Sequence, residues 1–145
     1  MIKLLVACLL AVSFSANTPA SPNIPSIKEY NCLVRNIYYE AKGQPKSGKE
    51  AVGLVTMNRL RDHRYPNTIC KVVYQPGQFS WTADNTISKK INSKEWRLAM
   101  NAATAAYNSV NHFRATHFHN DQVRPYWTKR AKIIAIIGNH TFYTV

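Results

Sequence analysis

The period of the apolar residues changes along this chain, and the change limits the folds it can adopt. Between residues 27 and 110, apolar side chains recur every three or four positions, as on one face of an α-helix. From residue 116 onward they alternate with polar side chains or form short runs, as in β-strands. Helices first and strands last predict an α+β fold, with N-terminal helices followed by a small antiparallel β-sheet or hairpin.

Helix start and stop signals divide the first part of the chain. Ser26 and Ser47 are each followed three residues later by glutamate, which is the pattern of a capping box. Thr68 and Ser93 are further predicted N-caps, and Gly43 is a natural stop after the first helix. The predicted helices cover residues 27–41, 47–60, 69–74 and 94–110.

The last part of the chain predicts three strands. Residues 116–119 alternate between polar and apolar side chains, which is the period of a strand. Residues 133–137 and 141–145 are apolar-rich and flank Gly138-Asn139, a sequence that favours a tight turn. We therefore expect residues 133–145 to form a β-hairpin.

The composition is that of one globular domain with a strong positive charge. The 145 residues are 46% hydrophobic and 18% charged, which favours one folded core over disorder. A net charge of +12 predicts attraction to an anionic surface such as a cell-wall polymer, lipid headgroups or nucleic acid. The basic residues are scattered, which argues against sequence-specific nucleic-acid recognition. No P-loop, GxGxxG or GxSxG motif indicates nucleotide binding or α/β-hydrolase chemistry.

Residues 1–20 have the pattern of a secretory signal peptide. Lys3 supplies a short positive region, and residues 4–16 are an apolar stretch too short to span a bilayer comfortably. Small residues then allow cleavage after Ala16 or Ala20, with an uncleaved anchor as the alternative. We expect a secreted or periplasmic monomer with no stable membrane insertion after signal removal. Residues 21–26 are predicted to be a linker, and residues 27–145 a single domain.

Two cysteines, Cys32 and Cys70, remain once the signal with Cys8 is removed. In an oxidising compartment such a pair can form a disulfide. Two buried free thiols are the alternative, and the spacing leaves both open.

Glu40 is the leading candidate for a catalytic residue. It falls in the last turn of the first predicted helix, where the negative end of the helix dipole disfavours a carboxylate. The apolar neighbours Ile37, Tyr38 and Tyr39 are expected to raise the pKa of the carboxyl by desolvation. Both effects favour a protonated carboxyl near neutral pH, as a general acid requires. The alternative is a solvated surface glutamate paired with Lys42.

A second catalytic carboxylate is harder to find among the seven in the chain. Glu29 and Glu50 are explained by capping, and Glu95 lies in the first turn of a predicted helix, where the dipole favours it. The three without such an explanation are Asp62, Asp84 and Asp121. Because glycosidases ordinarily use two carboxylates, this scarcity favours a mechanism in which one carboxyl is both acid and base.

Two other segments carry candidate binding residues. The turn at 75–78 leads into Phe79 and Trp81, exposed-looking aromatics that can stack on sugar rings or, alternatively, plug into the core. His117 and His119 are two apart on a predicted strand, so both imidazoles lie on one face. They favour substrate hydrogen bonding over zinc, because no third metal ligand follows a recognised motif.

Several motifs in order resemble those of the SleB-like cell wall hydrolases, which include catalytic domains of spore cortex-lytic enzymes and phage and bacterial relatives. The matching segments are 37–45, 48–52, 55–59, 65–69, 72–80, 115–119, 123–127 and 136–143. The resemblance spans about residues 30–143 and implies a lysozyme-like fold with Glu40 as the catalytic glutamate. The family motif commonly reads Glu-Ala-Arg-Gly-Glu, whereas this chain has Lys42 and Gln44 at its third and fifth positions.

The resemblance implies a lytic transglycosylase that cleaves the MurNAc-β-1,4-GlcNAc bond of peptidoglycan and forms 1,6-anhydro-MurNAc, with no metal or organic cofactor. A hydrolytic muramidase is the alternative within enzymes. A non-catalytic cell-wall-binding module is the alternative outside them, and a nucleic-acid binder is disfavoured by the export signal. The residues predicted to contact the glycan are Tyr39, Gln75, Gln78, Phe79, Ser80, Trp81, His117, His119 and Trp127.

Overall fold

The computed structural model describes residues 25–84, 90–110 and 112–145. The predicted signal peptide at 1–20 and most of the linker at 21–26 lie outside these ranges. Within them, no helix has the length and apolar character needed to cross a membrane.

The fold consists of a helical part followed by a three-stranded antiparallel sheet, which confirms the α+β prediction. The helices are α1 (Ile27–Ala41), α2 (Lys46–Arg61), α3 (Ile69–Val73) and α4 (Ser93–Tyr107). The strands are β1 (His117–Asn120), β2 (Lys132–Ile137) and β3 (His140–Thr144), in the order β1-β3-β2. Short 3₁₀ turns lie at Ser80–Thr82 and Tyr126–Arg130.

Two of the predicted caps are present in the structure. The Ser26 hydroxyl accepts a hydrogen bond from the Glu29 backbone amide (3.3 Å), and the Thr68 hydroxyl accepts one from the Lys71 amide (3.2 Å). In a complete capping box, the glutamate carboxylate accepts from the backbone amide of the N-cap residue. Here the Glu29 carboxylate instead accepts from the Cys70 amide at 2.9 Å. That bond attaches the start of α3 to α1.

The other two predicted caps are wrong. α2 begins at Lys46 after Pro45 and has no side-chain cap, so Ser47 lies inside the helix. Pro45 is the N-cap residue, with the extended backbone that such a position takes (φ −60°, ψ 162°). In α4 the side chain of Asn92, one residue before Ser93, accepts from the Glu95 amide (3.0 Å). α4 also ends at Tyr107, three residues short of the predicted end.

The core lies where α1, α2 and α4 cross. Gly53 makes the crossing close: a Cβ at this position would lie 2.8 Å from the Ala106 Cβ and 2.9 Å from the Ile37 Cδ1. Phe142 of β3 is fully buried and joins the sheet to this core. The sheet is therefore held against the helices, and the space between the two parts is available for a site.

The hairpin and the cysteine pair also form part of this frame. Gly138 adopts φ +60° in the turn between β2 and β3, as the Gly-Asn sequence predicts. Cys32 and Cys70 form a disulfide with Cα atoms 5.2 Å apart. It links α1 to α3 next to the Glu29 hydrogen bond.

Candidate active site

A cavity of about 690 Å³ lies between the C-terminal half of α1 and the sheet. α1 and α2 supply one side, the loop at 77–83 a second, and β1 with the segment at 123–127 a third. The residues used below that line it are Tyr39, Glu40, Arg59, Gln78, Phe79, Ser80, Trp81, Phe118, His119 and Trp127.

Glu40 lies in the last turn of α1 and lines this cavity. Burial raises the pKa of its carboxyl from 4.5 to about 7, and the positive charge of Arg59 opposes the rise. The ammonium of Lys42 lies 5.8 Å from the centre of the Tyr38 ring and forms no ion pair with Glu40. A substantial fraction of the carboxyl, about half, is therefore protonated at neutral pH.

Arg59 is a site residue that sequence reasoning missed. Its side chain is only 4% exposed, and its Nε donates to the Thr116 carbonyl at 2.7 Å. The guanidinium carbon lies 5.2 Å from the centre of the Phe79 ring. Among the described residues, its Nη1 has no hydrogen-bond partner. A signal was available, because Arg59 continues the buried stripe of α2 four residues after Val55.

The aromatic side of the cavity is built by packing within the helical part. The rings of Tyr39 and Trp81 stack with centroids 4.8 Å apart. The Trp81 indole donates to the Asn36 side chain (3.0 Å), whose amide in turn donates to the Thr56 hydroxyl (3.1 Å). These buried hydrogen bonds orient the indole, so the aromatic wall is rigid before any ligand binds.

The sheet side carries the two predicted histidines. Rings of both His117 and His119 pack on Trp127, at centroid distances of 5.0 Å and 6.1 Å, so they do share one face of β1. His119 hydrogen-bonds the Tyr143 hydroxyl at 2.9 Å. Burial, with Arg59 nearby, lowers the pKa of His117 to about 4, so that ring is neutral at physiological pH.

Comparison with known proteins identifies the family. The family model described as Cell Wall Hydrolase matches residues 43–143. This chain belongs to the cell wall hydrolase family. The match begins three residues after Glu40, so the case for that residue rests on its geometry and on the motif around it.

Curated relatives are spore cortex-lytic enzymes. The one from Oceanobacillus iheyensis is 30% identical over 131 residues, which cover 88% of this chain and 46% of the relative. The one from Bacillus subtilis is 28% identical over 142 residues, covering 87% and 44%. The chain therefore spans about half the length of the curated relatives it matches.

Two solved structures have the same fold as this cell wall hydrolase. The catalytic domain of the germination-specific lytic transglycosylase SleB from Bacillus anthracis superposes with a TM-score of 0.72 at 28% identity, covering 86% of this chain and 100% of that one. The catalytic domain of Bacillus cereus SleB gives 0.68 at 26% identity, covering 85% and 94%. The lysozyme-like fold class expected from the sequence is confirmed by these neighbours.

Most of the predicted glycan-binding residues meet at the cavity of this hydrolase, and two do not. Gln75 comes before the turn at Gly77 (φ +75°) and lies instead beside the disulfide. His117 is set back from the cavity, with its Nδ1 3.0 Å from the Thr116 hydroxyl. The predicted residues that line the cavity with Glu40 are Tyr39, Gln78, Phe79, Ser80, Trp81, His119 and Trp127.

The exposure expected for the loop aromatics is wrong. Phe79 is 3% and Trp81 9% exposed, so each buries most of its ring in the core and presents only an edge or face to the cavity. The 3₁₀ turn after Phe79 directs the indole inward, where Asn36 accepts its N–H. Both rings therefore pack in the core, as one alternative predicted, and still line the cavity, as the other predicted.

All seven carboxylates lie in the described ranges, and among these residues Glu40 is the only one that lines the cavity. Asp62 accepts from Arg64 at 2.7 Å, and that hydrogen bond lowers its pKa to about 2. Glu95 pairs with Lys49 at 3.0 Å, and Glu50 with Lys46 at 3.7 Å.

Within residues 25–84, 90–110 and 112–145, no three side chains of His, Cys, Asp or Glu converge as metal ligands. The role of His119 in the cavity therefore remains a prediction based on its hydrogen-bonding groups.

Proposed function

We propose that this protein is a lytic transglycosylase that cleaves the glycan strands of peptidoglycan at the MurNAc-β-1,4-GlcNAc bond. The observation that carries the proposal is Glu40, a carboxyl with a pKa of about 7 and the one carboxylate lining the cavity in the described part of the chain. The family and the SleB catalytic domains support it.

The first step is protonation of the leaving group. Protonated Glu40 gives its proton to the glycosidic oxygen, and the bond between that oxygen and C1 of the muramic sugar breaks with both electrons on oxygen. Glu40 is then a carboxylate, and the guanidinium of Arg59 stabilises its charge from within the same cavity. GlcNAc leaves with a free hydroxyl.

The second step needs no other carboxylate. The Glu40 carboxylate takes the proton of the muramic 6-hydroxyl as that oxygen bonds to C1 and closes a 1,6-anhydro ring. A nucleophile held on the substrate has the advantage of intramolecular attack. Retaining and inverting glycosidases instead need a second carboxyl about 5–9.5 Å away. The pairing of Asp62 with Arg64 and of Glu95 with Lys49 favours the one-carboxyl scheme.

The same proposal assigns the cavity walls to sugar binding. Tyr39 and Trp127 offer ring surfaces for the apolar faces of sugars, and Gln78, Ser80 and His119 offer hydrogen-bonding groups. In this proposal, residues 27–145 are the catalytic domain, and this domain works as a monomer without a cofactor. Export through residues 1–20 is supported by the Cys32–Cys70 disulfide, a bond typical of oxidising compartments.

The test is Glu40→Gln, assayed on purified sacculi by turbidity and by mass spectrometry of released muropeptides. The wild type should release products ending in 1,6-anhydro-MurNAc, one water lighter than hydrolytic products. Glu40→Gln should lose about 10²–10⁴-fold in rate, because the amide has no acidic proton to give.

Glu50→Gln is the control: it makes the same change in a surface ion pair, and this variant should lyse sacculi normally. Lysis by Glu40→Gln within about tenfold of the wild type would refute the acid role. Reducing ends alone would show that water is the acceptor.

A further inference from the structure

A second cavity of about 400 Å³ adjoins the first across the side chain of Tyr39, which lines both. We call it the Arg35 cavity. Its lining residues are Asn31, Arg35, Tyr39, Ile91 and Trp96. None of the steps proposed for Glu40 uses it.

The Arg35 cavity runs along α1, away from the reacting carboxyl. Asn31, Arg35 and Tyr39 are four residues apart, so they lie on one face of the helix. With a rise of 1.5 Å per residue, they cover about 12 Å from Tyr39 toward the helix N-terminus. A chain of sugars that passes Tyr39 in the catalytic cavity can therefore continue along this stripe.

The opposite wall is fixed before any ligand arrives. The Asn92 backbone amide donates to the Tyr38 hydroxyl at 3.0 Å and attaches the start of α4 to α1. One turn later, the Trp96 ring packs on the Tyr38 ring at 5.4 Å. Trp96 is only half-buried, so part of its ring faces the cavity in a set orientation. A rigid, partly exposed aromatic ring binds an apolar surface at little cost in conformational entropy.

Arg35 determines the ligand chemistry. Its side chain is exposed and forms no ion pair or hydrogen bond with another described residue, and the same is true of Asn31. A free guanidinium binds carboxylates with two parallel hydrogen bonds. In a peptidoglycan strand, the lactyl group of a muramic sugar carries a free carboxylate where the stem peptide is absent, and the stem peptide carries carboxylates of its own where it is attached.

We infer that the Arg35 cavity binds a sugar unit of the strand beyond the bond that is cut, with Arg35 holding a carboxylate of that unit and Trp96 against its apolar face. The inference rests on the proposed function for the identity of the strand. If Arg35 holds a carboxylate, it distinguishes strands that contain muramic acid from neutral, chitin-like strands.

The experiment measures binding by calorimetry in the inactive Glu40→Gln background. Three soluble oligosaccharides of equal length serve as probes: strands with stem peptides, the same strands with peptides removed but lactyl groups kept, and a neutral chitooligosaccharide. Arg35→Ala is compared with Arg97→Ala, which removes the same charge from another exposed position, next to Trp96.

Arg35→Ala should weaken binding of the carboxylate-bearing strands by about threefold to tenfold, the range for a partly exposed charged hydrogen bond, and leave the neutral probe unchanged. Weakening only with the peptide-free strand identifies the lactyl carboxylate, and weakening only with the peptide-bearing strand identifies a carboxylate of the peptide. Weakening with both shows that Arg35 binds either carboxylate.

Equal dissociation constants for Arg35→Ala and Arg97→Ala on every probe would overturn the inference. Such a result would leave the proposed function intact, because release of anhydro products by the wild type tests that separately.

Discussion

At the scale of single residues, the proposed chemistry depends on one carboxyl and one guanidinium that line the same cavity. Burial raises the pKa of Glu40, and Arg59 holds the rise to about 7. The effect on Arg59 is reciprocal: burial lowers its pKa, and the charges of Tyr65 and Glu40 partly restore it. Glu40 can therefore be an acid in one step and a base in the next near neutral pH.

The first consequence is a pH profile that depends on Arg59. Activity should fall as pH rises through about 7, because only protonated Glu40 can give a proton to the leaving group. Arg59→Gln removes the charge that favours the carboxylate, so the pKa of Glu40 should rise and the alkaline limb of kcat/KM should move to higher pH. Arg59→Lys, which retains a charge, should move it less.

Arg61→Gln is the control for this profile, since it removes the same charge two residues later on α2, where the guanidinium donates to the Ser109 carbonyl. If Arg59 had only a structural role, Arg59→Gln would lower kcat/KM at every pH, and the alkaline limb would stay at the same pH. An unmoved limb in Arg59→Gln would therefore contradict the electrostatic role.

At the scale of elements, the end of α1 that carries Glu40 is held by a buried lysine. Lys49 of α2 is 3% exposed, and its ammonium donates to the carbonyls of Ala41 (3.0 Å) and Gln44 (2.7 Å). The Glu95 carboxylate of α4 pairs with this ammonium at 3.0 Å and also accepts from the Gly43 amide. One side chain thus donates to the last carbonyl of α1 and to a carbonyl of the loop that follows, and it joins three helices near the site.

Lys49→Met should destabilise the fold by about 3 kcal/mol, because it removes the buried ammonium that donates to two carbonyls and pairs with the Glu95 carboxylate. The control is Lys46→Met, three residues before Lys49, which removes a largely exposed partner of Glu50. It should lower the free energy of unfolding by less than about 1 kcal/mol. Urea denaturation followed by circular dichroism measures both. Equal midpoints for the two variants would show that the buried lysine has no special role.

At the scale of the whole molecule, the disulfide ties the start of α3 to α1, and neither cysteine lines the cavity that holds Glu40. The two cysteines are 38 residues apart, so the bond closes a long loop in the unfolded chain. On the chain-entropy model this stabilises the folded state by about 3–4 kcal/mol.

Reduction should lower the free energy of unfolding by about that amount while the reduced, still folded enzyme cleaves sacculi at an unchanged rate. A Cys32→Ala/Cys70→Ala double variant should show the lower stability at once and no further response to reductant. Stability in the wild type that is indifferent to reductant would mean that the disulfide contributes little.

Particular elements show how far sequence reasoning reached. The helix at 27–41, the Thr68 cap and the hairpin turn at Gly138 all follow from local patterns, and the structure has them. Ser47 and Ser93 look like equally good caps in the sequence, but Pro45 and Asn92 start those helices. The cap pattern alone does not decide between neighbouring residues, so each predicted start is wrong by one or two positions.

The candidate site divides in the same way. Glu40 could be selected from the sequence because its helix end and its apolar neighbours are local features. The stripe of α2 indicates that Arg59 is buried, but it does not show that Arg59 faces Glu40. That placement, the role of Lys49 and the burial of Trp81 depend on partners between 8 and 57 residues away. Gln75 is predicted from the turn that leads into the loop aromatics, and His117 from the strand face that it shares with His119. A turn holds the first away from the cavity, and a hydrogen bond holds the second.

The sequence by itself determined the order of helices and strands, the position of the candidate acid and the family, since all of these depend on local spacing and motif. Only the tertiary structure decided which side chains share a cavity with Glu40, that Arg59 opposes the rise in its pKa, and that a second cavity follows α1. The physical reason is that desolvation and Coulomb interactions depend on distances in space, which residue order does not specify.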